Sequence, residues 1–273
     1  FVNLLNPANA SIAPGAAGQG LGTITNDDPP SVTLSLTGSP LAENGGLATV
    51  TATLAGTSSQ NVTVNLGFAG TAANLTDYTR SATSIIIPAG SLTGSITLTG
   101  VDDVLDESSE SVVVEITTVT NGTENGTQQV TAFITDDDPT PSVTLSLAGS
   151  PLAEAAGVAT VTANLSAVSG QDVTVSLAFS GTATNVSDYT RSGTSILIPA
   201  GSLTGSITLT AVQDPGDEPD ETIIVDISSV ANAAENGTQQ VTAMITDDDP
   251  LPSVTLGLAG SPLAENGGVA TVT

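Results

Sequence analysis

Carboxylates are the chemistry this sequence offers. Its 273 residues carry 28 Asp and Glu against 2 Lys and Arg, the two cations being Arg80 and Arg191, with no His and no Cys and a formal net charge of -26. The acids are not scattered. They gather in short runs such as Asp102-Asp103, Asp106-Glu107, Glu110 and Asp136-Asp137-Asp138, with isolated members at Glu43 and Asp77. Oxygen donors without imidazole or thiolate select hard cations. Among these Ca²⁺ accepts about six to eight oxygens in flexible geometry, whereas Mg²⁺ demands a stricter octahedron.

The same inventory excludes other chemistries. Without His or Cys there is no thiol nucleophile, no disulfide, no zinc finger and no Ser-His-Asp relay. A strongly negative chain repels phosphate backbones and anionic membrane surfaces, so no nucleic-acid partner is expected. Paired carboxylates can hydrolyse glycosides, but a sugar cleft needs stacking aromatics, and there are 4 Phe, 2 Tyr and no Trp. An enzyme is therefore not expected. Phosphate-cradling Gly-rich loops, nucleotide fingerprints and calcium-grasping nonapeptides are absent from the sequence. No apolar run of roughly 18 residues exists, so no membrane insertion is expected in this segment.

The elements that must position these acids are set by an internal repeat. Ser31-Val32-Thr33-Leu34-Ser35-Leu36 recurs 111 residues later at Ser142 to Leu147 and again, with Gly257 for the second Ser, at Ser253 to Leu258. The same offset aligns Glu43 with Glu154 and Glu265, and Asp77-Tyr78-Thr79-Arg80 with Asp188 to Arg191. A period this long fits one sandwich domain rather than a solenoid turn. The expected organisation is the C-terminal part of a preceding repeat (1–30), two complete repeats (31–141 and 142–252) and the start of a following repeat (253–273). The chain opens in mid-strand and reads as a piece of something longer. Short Pro-rich joints at Asp28-Pro29-Pro30, Asp138-Pro139-Thr140-Pro141 and Asp249-Pro250-Leu251-Pro252 restrict φ and predict a stiff array.

Within the first repeat, Val32/Leu34/Leu36, Ala48/Val50/Ala52/Leu54, Val62/Val64/Leu66/Phe68, Ile96/Leu98 and Val112/Val114/Ile116 alternate with Thr, Ser, Asn and Gly. Period two means half-buried strands. Seven are expected, over 31–37, 47–55, 61–68, 83–88, 93–101, 110–119 and 127–135. That pattern predicts an all-β fold of tandem immunoglobulin-like antiparallel β-sandwiches, seven strands per repeat, joined by the Pro-rich linkers.

Strand parity then gathers the acids. If the first strand runs upward, everything after the first, third, fifth and seventh strands lies at one end. Every acid of the first repeat except Glu115 and Glu124 falls there. So many like charges at one end destabilise a small domain unless a multivalent counter-ion neutralises them. The expected cofactor is Ca²⁺, several ions per repeat. Tyr78 and Tyr189 read as packing residues beside the acid loops, and Arg80 and Arg191 as charge partners for a neighbouring carboxylate. Asn44-Gly45, Asn121-Gly122 and Asn125-Gly126 read as turns with positive φ.

Four motifs in order carry a family resemblance: Leu41-Ala42-Glu43-Asn44, Asp77-Tyr78, the run Asp102-Asp103-x3-Glu107-x2-Glu110, and Ile134-Thr135-Asp136-Asp137-Asp138. This combination resembles the Calx-beta domain, known from sodium/calcium exchanger regulatory loops, from integrin β4 and from tandem arrays in large bacterial surface proteins. The resemblance implies an immunoglobulin-like sandwich with calcium bound at its distal loops. Carried over by position, it implies metal ligands at Glu43, Asp77, Asp102, Asp103, Glu107, Glu110, Asp136, Asp137 and Asp138. In the second repeat it implies Glu154, Asp188, Asp214, Glu218, Glu221, Asp247, Asp248 and Asp249, with Gln213 replacing one acid, which predicts fewer ions or weaker binding there. In the flanking pieces it implies Asp27, Asp28 and Glu265.

The function these features predict is a calcium-binding structural segment of a long extracellular or cell-surface protein, bacterial in setting, forming a calcium-rigidified stalk or filament. The alternatives are a calcium-sensing or ligand-binding module, and the stalk of an adhesin whose binding domain lies outside this segment. Expected partners are neighbouring repeats of the same chain and other copies assembling into filaments. At about 3.3 Å per strand residue a repeat spans roughly 40 Å, giving a rod of roughly 100 Å. Calcium is expected to stiffen each joint, with Asp172 or Glu235 of the following repeat completing the cluster before it.

Overall fold

The computed structural model describes Val2–Asn3, Gln19–Gly20 and residues 28–273. All regular structure among the described residues is β-strand, and none of it is a helix long and apolar enough to cross a membrane. After a short antiparallel pair, β1 (Val2–Asn3) and β2 (Gln19–Gly20), the first repeat runs β3 (Ser31–Thr37), β4 (Leu41–Ala42), β5 (Leu47–Leu54), β6 (Val62–Gly70), β7 (Tyr78–Arg80), β8 (Ser84–Ile87), β9 (Thr93–Gly100), β10 (Glu110–Thr120), β11 (Thr123–Glu124) and β12 (Gln129–Thr135). The second repeats it as β13 (Ser142–Ala148), β14 (Leu152–Ala153), β15 (Val158–Leu165), β16 (Val173–Gly181), β17 (Tyr189–Arg191), β18 (Ser195–Ile198), β19 (Thr204–Ala211), β20 (Glu221–Ala231), β21 (Ala234–Glu235) and β22 (Gln240–Thr246). A last short pair, β23 (Leu258–Ala259) and β24 (Thr271–Val272), follows.

Each repeat is two five-stranded sheets. In the first the orders are β4-β12-β10-β6-β8 and β11-β3-β5-β9-β7, and in the second β14-β22-β20-β16-β18 and β17-β19-β15-β13-β21. The seven strands expected from period two are all present within one or two residues of their predicted limits. Three more per repeat have only two or three residues, too short for any alternation to show. Two of the three break the antiparallel rule: β4 pairs parallel with β12 and β11 parallel with β3.

The inward positions are the ones the alternation picked. Val32, Val50, Val62, Val64, Ile87, Leu98, Val112 and Val114 are fully buried, and the second repeat has the same set at its equivalent positions. Each such side chain contributes about 1.5–3 kcal/mol through burial. The core is almost wholly aliphatic and therefore thin, and among the described residues Tyr78 and Tyr189, both 3% exposed, are its buried aromatics. The outward positions of one sheet form rows of hydroxyls: Thr37, Thr49 and Thr97 are register partners, as are Ser35, Thr51 and Ser95, and Thr33, Thr53 and Thr93. That sheet face carries no charge, as cross-strand Thr pairs allow.

The chain divides into two compact units. One comprises Phe1–Val101 with Glu110–Thr135, the other Asp102–Ser109 with Asp136–Thr273. Both sheets of the first repeat belong to the first unit and both sheets of the second repeat to the second. The loop Asp102–Ser109 is part of the second.

Candidate metal centre

The second repeat shows how the fold delivers carboxylates to one place. Glu154 directly follows β14, which pairs parallel with the end of β22, and the Glu154 N–H donates to the Thr246 carbonyl at 3.1 Å. This lays Glu154 beside the acids that leave β22, Asp247 to Asp249. Glu154 is buried, at 6% exposure, and its Oε1 accepts the Asp214 N–H at 3.0 Å. Carboxylate oxygens of Glu154, Asp248 and Asp249 lie within 4.8 Å of one another.

A second group forms beside the first. Asp188 ends a tight loop in which Val186 has φ +83°, a costly conformation for a β-branched residue of the kind that clusters at functional positions. The loop is closed by the Asp188 carboxylate accepting the Thr184 N–H at 2.5 Å, while the Asp188 carbonyl accepts the Val212 N–H at 2.9 Å. Glu221 opens β20, and the Glu218 N–H reaches Asp247 Oδ1 at 3.3 Å. Oxygens of Asp188, Glu218 and Glu221 again lie within 4.8 Å of one another. A single crevice joins the two groups, lined by Glu154, Asp188, Asp214, Glu218, Glu221 and Asp247, with Val212, Pro219 and Ile245 as apolar wall.

The electrostatics are those of like charges held close together. Glu154 is pulled down by the hydrogen bond from Asp214, but burial and the charges of Asp214, Asp249 and Asp247 outweigh it, so its carboxyl sits above the usual range. Glu218 is raised chiefly by the charge of Asp214, and Glu221 by burial and then by Asp188 and Glu218. Burial, followed by Asp247 and Asp248, raises Asp249. Every resolved shift favours the neutral acid, as expected where like charges converge.

In the first repeat the corresponding acids fall in both units, and each unit brings some together. In the first unit, Glu43 follows β4, is 5% exposed, and donates its N–H to the Thr135 carbonyl at 3.0 Å. Asp77 accepts the Ala73 N–H, and a carboxylate oxygen of Asp77 lies within 4.8 Å of one of Glu110. Leu75, with φ +80°, repeats the strained position of Val186. The second unit holds Asp102, Asp103, Glu107 and Asp136 to Asp138, and oxygens of Asp103 and Asp138 lie within 4.8 Å of each other. Asp136 is raised by burial, against a lowering hydrogen bond from the Glu107 N–H, and by Asp106 and Asp137. Asp138 is raised by burial and by Asp136, Asp137, Asp102 and Asp103.

Two atoms test whether these residues fit a metal. Asp136 Oδ1 and Asp138 Oδ2 are buried without a hydrogen-bond partner. An unsatisfied buried carboxylate oxygen is costly, and a hard cation is the partner it lacks. The donor set is all oxygen, its members converge, and their electrostatics call for positive charge. The residues fit Ca²⁺.

Arg80 and Arg191 stack on aromatic rings: their guanidinium carbons stand 4.1 and 4.2 Å from the ring centroids of Phe68 and Phe179, where a planar cation is held favourably. Asp172 accepts the Ala200 N–H at 2.8 Å, bracing the loop after β18, and Glu235 accepts the Gln239 N–H at 2.6 Å within its own turn. Gln213 turns its amide donor to the Asp214 carbonyl at 2.7 Å and to Asp249 Oδ2 at 3.5 Å. Asp28 and Glu265 are exposed and join no group of three acids among the described residues, and Asp27 lies outside the described residues. Asp106 was not expected as a functional residue, yet it is 8% exposed and accepts the Thr140 hydroxyl at 3.2 Å. Its equivalent Asp217 is exposed, so no sequence signal distinguishes the two.

The profile of the Calx-beta domain family matches the chain twice, over residues 25–139 and 136–249. No curated protein matches significantly. Among solved structures, CBD12 from CALX1.2 is 15% identical, covering 79% of this chain and 99% of its own at a TM-score of 0.37. The calcium binding domain CBD12 of CALX1.1 is 18% identical over 70% of this chain and 76% of its own, at 0.33. The E. coli chaperone DraB is 10% identical over 78% of this chain and 97% of its own, at 0.27.

Proposed function

The chain belongs to the Calx-beta domain family, and we propose that it is a calcium-binding structural segment, non-catalytic, whose repeats hold ions at their acid-rich ends. The observation that carries this is the pair of converging three-carboxylate groups in the second repeat, all of whose resolved shifts favour loss of negative charge. Glu154, Asp248 and Asp249 would hold one ion and Asp188, Glu218 and Glu221 another, with Asp214 and Asp247 between them. By the 111-residue equivalence the first repeat would use Glu43, Asp77, Asp102, Asp103, Glu107, Glu110 and Asp136 to Asp138. Calcium supplies positive charge where the carboxylates meet. The chain's own contribution is to hold those carboxylates together on parallel strand ends and tight loops.

We further propose that the segment serves as a stalk or filament of a long extracellular or cell-surface protein, with each repeat spanning its own stretch of the 31–141 and 142–252 intervals. Near-identical copies support it, since a spacer needs length and stiffness rather than individual binding sites. Uncharged hydroxyl rows on one sheet support it too, because that face carries no charge to repel a neighbouring rod. Calorimetric titration of the whole chain with calcium, with matched magnesium as control, tests the binding. Saturable calcium binding at several sites per chain is expected, and its absence would refute the proposal. Small-angle scattering with and without calcium tests the stalk, which is wrong if the maximum dimension and its spread are the same in both.

A further inference from the structure

We propose that Gly170, with Ser169 and Asp106, is a positioning device for Glu107, so that the turn Ser169–Gln171 sets how well the Asp102–Glu107 loop binds calcium. The inference rests on the calcium-binding proposal for its consequence and on contacts within the second unit for its geometry. The loop is received by the turn along its backbone. Asp106 forms a parallel β-bridge with Ser169, and the Asp106 carbonyl accepts both the Gly170 N–H at 3.1 Å and the Ser169 hydroxyl at 3.2 Å. Ser169 is 1% exposed, and its hydroxyl oxygen accepts the Gln171 N–H at 3.1 Å. On the other side of the bridge Ser108 donates to Gln171 Oε1 at 3.0 Å, and Thr140 donates to Asp106 Oδ1 at 3.2 Å.

This anchoring has no use for the Asp106 side chain as a ligand, because that carboxylate faces Thr140. Its effect falls on the next residue. The Glu107 N–H is held against the Asp136 carboxylate, and the Glu107 side chain lies directly over Gly170. A Cβ on residue 170 would stand 2.5 Å from Glu107 Oε1 and 2.6 Å from Glu107 Cγ. The first repeat has Ser59 at the equivalent position, so the backbone of this turn accepts a side chain there, and Gly170 is not in a left-handed conformation. The space above Gly170 is therefore kept for Glu107 rather than for the turn.

Gly170→Ser tests this, because it installs the residue that the other repeat tolerates. A flexible Glu side chain can move aside, so the fold survives while the carboxylate is displaced. In the full chain, with the second repeat's groups silenced by Glu154→Gln, Glu218→Gln and Glu221→Gln, calcium titration should show affinity about tenfold weaker for Gly170→Ser than for its parent. Ser169→Ala should weaken binding in the same direction through the lost anchor. With Asp102→Asn, Asp103→Asn and Glu107→Gln as background instead, Gly170→Ser should leave the second repeat's affinity unchanged. Hydrogen exchange in chelator gives a calcium-independent reading: the Glu107 amide should exchange about tenfold faster in Gly170→Ser. Unchanged affinity together with an unchanged Glu107 amide overturns the inference. A wild-type chain that binds no calcium refutes the functional proposal and the affinity claim, while the amide reading still decides the positioning.

Discussion

Replacing Glu154 by Gln should have opposite consequences with and without calcium. Gln keeps the shape and still offers an oxygen to the Asp214 N–H, 3.0 Å away, so only the charge is lost. In chelator the variant escapes repulsion from Asp248, whose oxygen lies within 4.8 Å. That repulsion is about 1 kcal/mol in a water-like medium and about 3 kcal/mol at an effective dielectric constant of ~20. Against it stands about 1 kcal/mol of charge assistance lost from the hydrogen bond. The balance runs from about zero to about 2 kcal/mol in favour of the variant, the sign that the raised Glu154 pKa already indicates.

In calcium the sign reverses. A site occupied at about 100 times its Kd contributes about 2.7 kcal/mol to the folded state. For a domain of this size 1 kcal/mol moves Tm by about 4 °C, so losing one ion lowers it by about 10 °C. Differential scanning calorimetry of the whole chain, in millimolar calcium and in chelator, reads both. Equal loss of Tm in the two conditions would show that Glu154 matters only as a hydrogen-bond acceptor. An undiminished calcium-induced shift would show that it is not a ligand.

Three further outcomes follow from the same geometry. Asp136, Asp138, Glu154, Glu218, Glu221 and Asp249 all have folded pKa values raised above ordinary carboxylate values of 3.8 to 4.5, so the calcium-free fold binds protons more tightly than the unfolded chain. Its stability should be greatest below about pH 4 and decline as the pH rises through the raised values, the reverse of the trend in saturating calcium; urea melts from pH 3.5 to 7 in chelator check the slope. Gly181→Ala forces a Cβ to 2.2 Å from the Thr222 carbonyl oxygen at φ +118° and should cost about 3 kcal/mol equally in calcium and in chelator, so a loss seen only in calcium would contradict a purely steric role. Arg191→Ala should cost about 0.5–1 kcal/mol through the contact with Phe179, and if high salt erases that loss an ion pair rather than ring stacking is responsible.

The sandwich was legible because its signal is repeated along each long strand: Val112, Val114 and Ile116 turn inward only if the strand is half-buried, and they do. The acid ends were legible for a related reason, since strand parity alone decides which loops share an end. What could not be read were contacts made by single residues. Leu41–Ala42 pairs parallel with Ile134–Thr135 through two residues that carry no alternation. Asp106 and Asp217 occupy the same position in the repeat, yet only Asp106 is buried, because burial there depends on what the turn Ser169–Gln171 receives. Arg80 lies three residues from Asp77 in the sequence, yet its guanidinium stands over Phe68 in the fold, a contact between residues of different strands that no local pattern announces.

Where the repeats differ, the difference predicts an order of calcium release. Asp102 in the first repeat corresponds to Gln213 in the second. The Gln213 amide donates to the Asp214 carbonyl and reaches Asp249 Oδ2, so it offers a donor to the acids where the other repeat adds a negative charge. This stabilises the metal-free second repeat and removes one anionic ligand from its calcium-bound state, and both effects weaken its affinity. As calcium falls, the second repeat should empty first. Gln213→Asp should tighten its calcium binding by about tenfold, close to 1.4 kcal/mol, and lower its Tm in chelator. Calcium titrations of the wild type and of this variant, each in the Asp102→Asn, Asp103→Asn, Glu107→Gln background, isolate the second repeat. If affinity does not change while Tm in chelator falls, Gln213 serves the metal-free fold alone, and the exchange at this position gives no order of release.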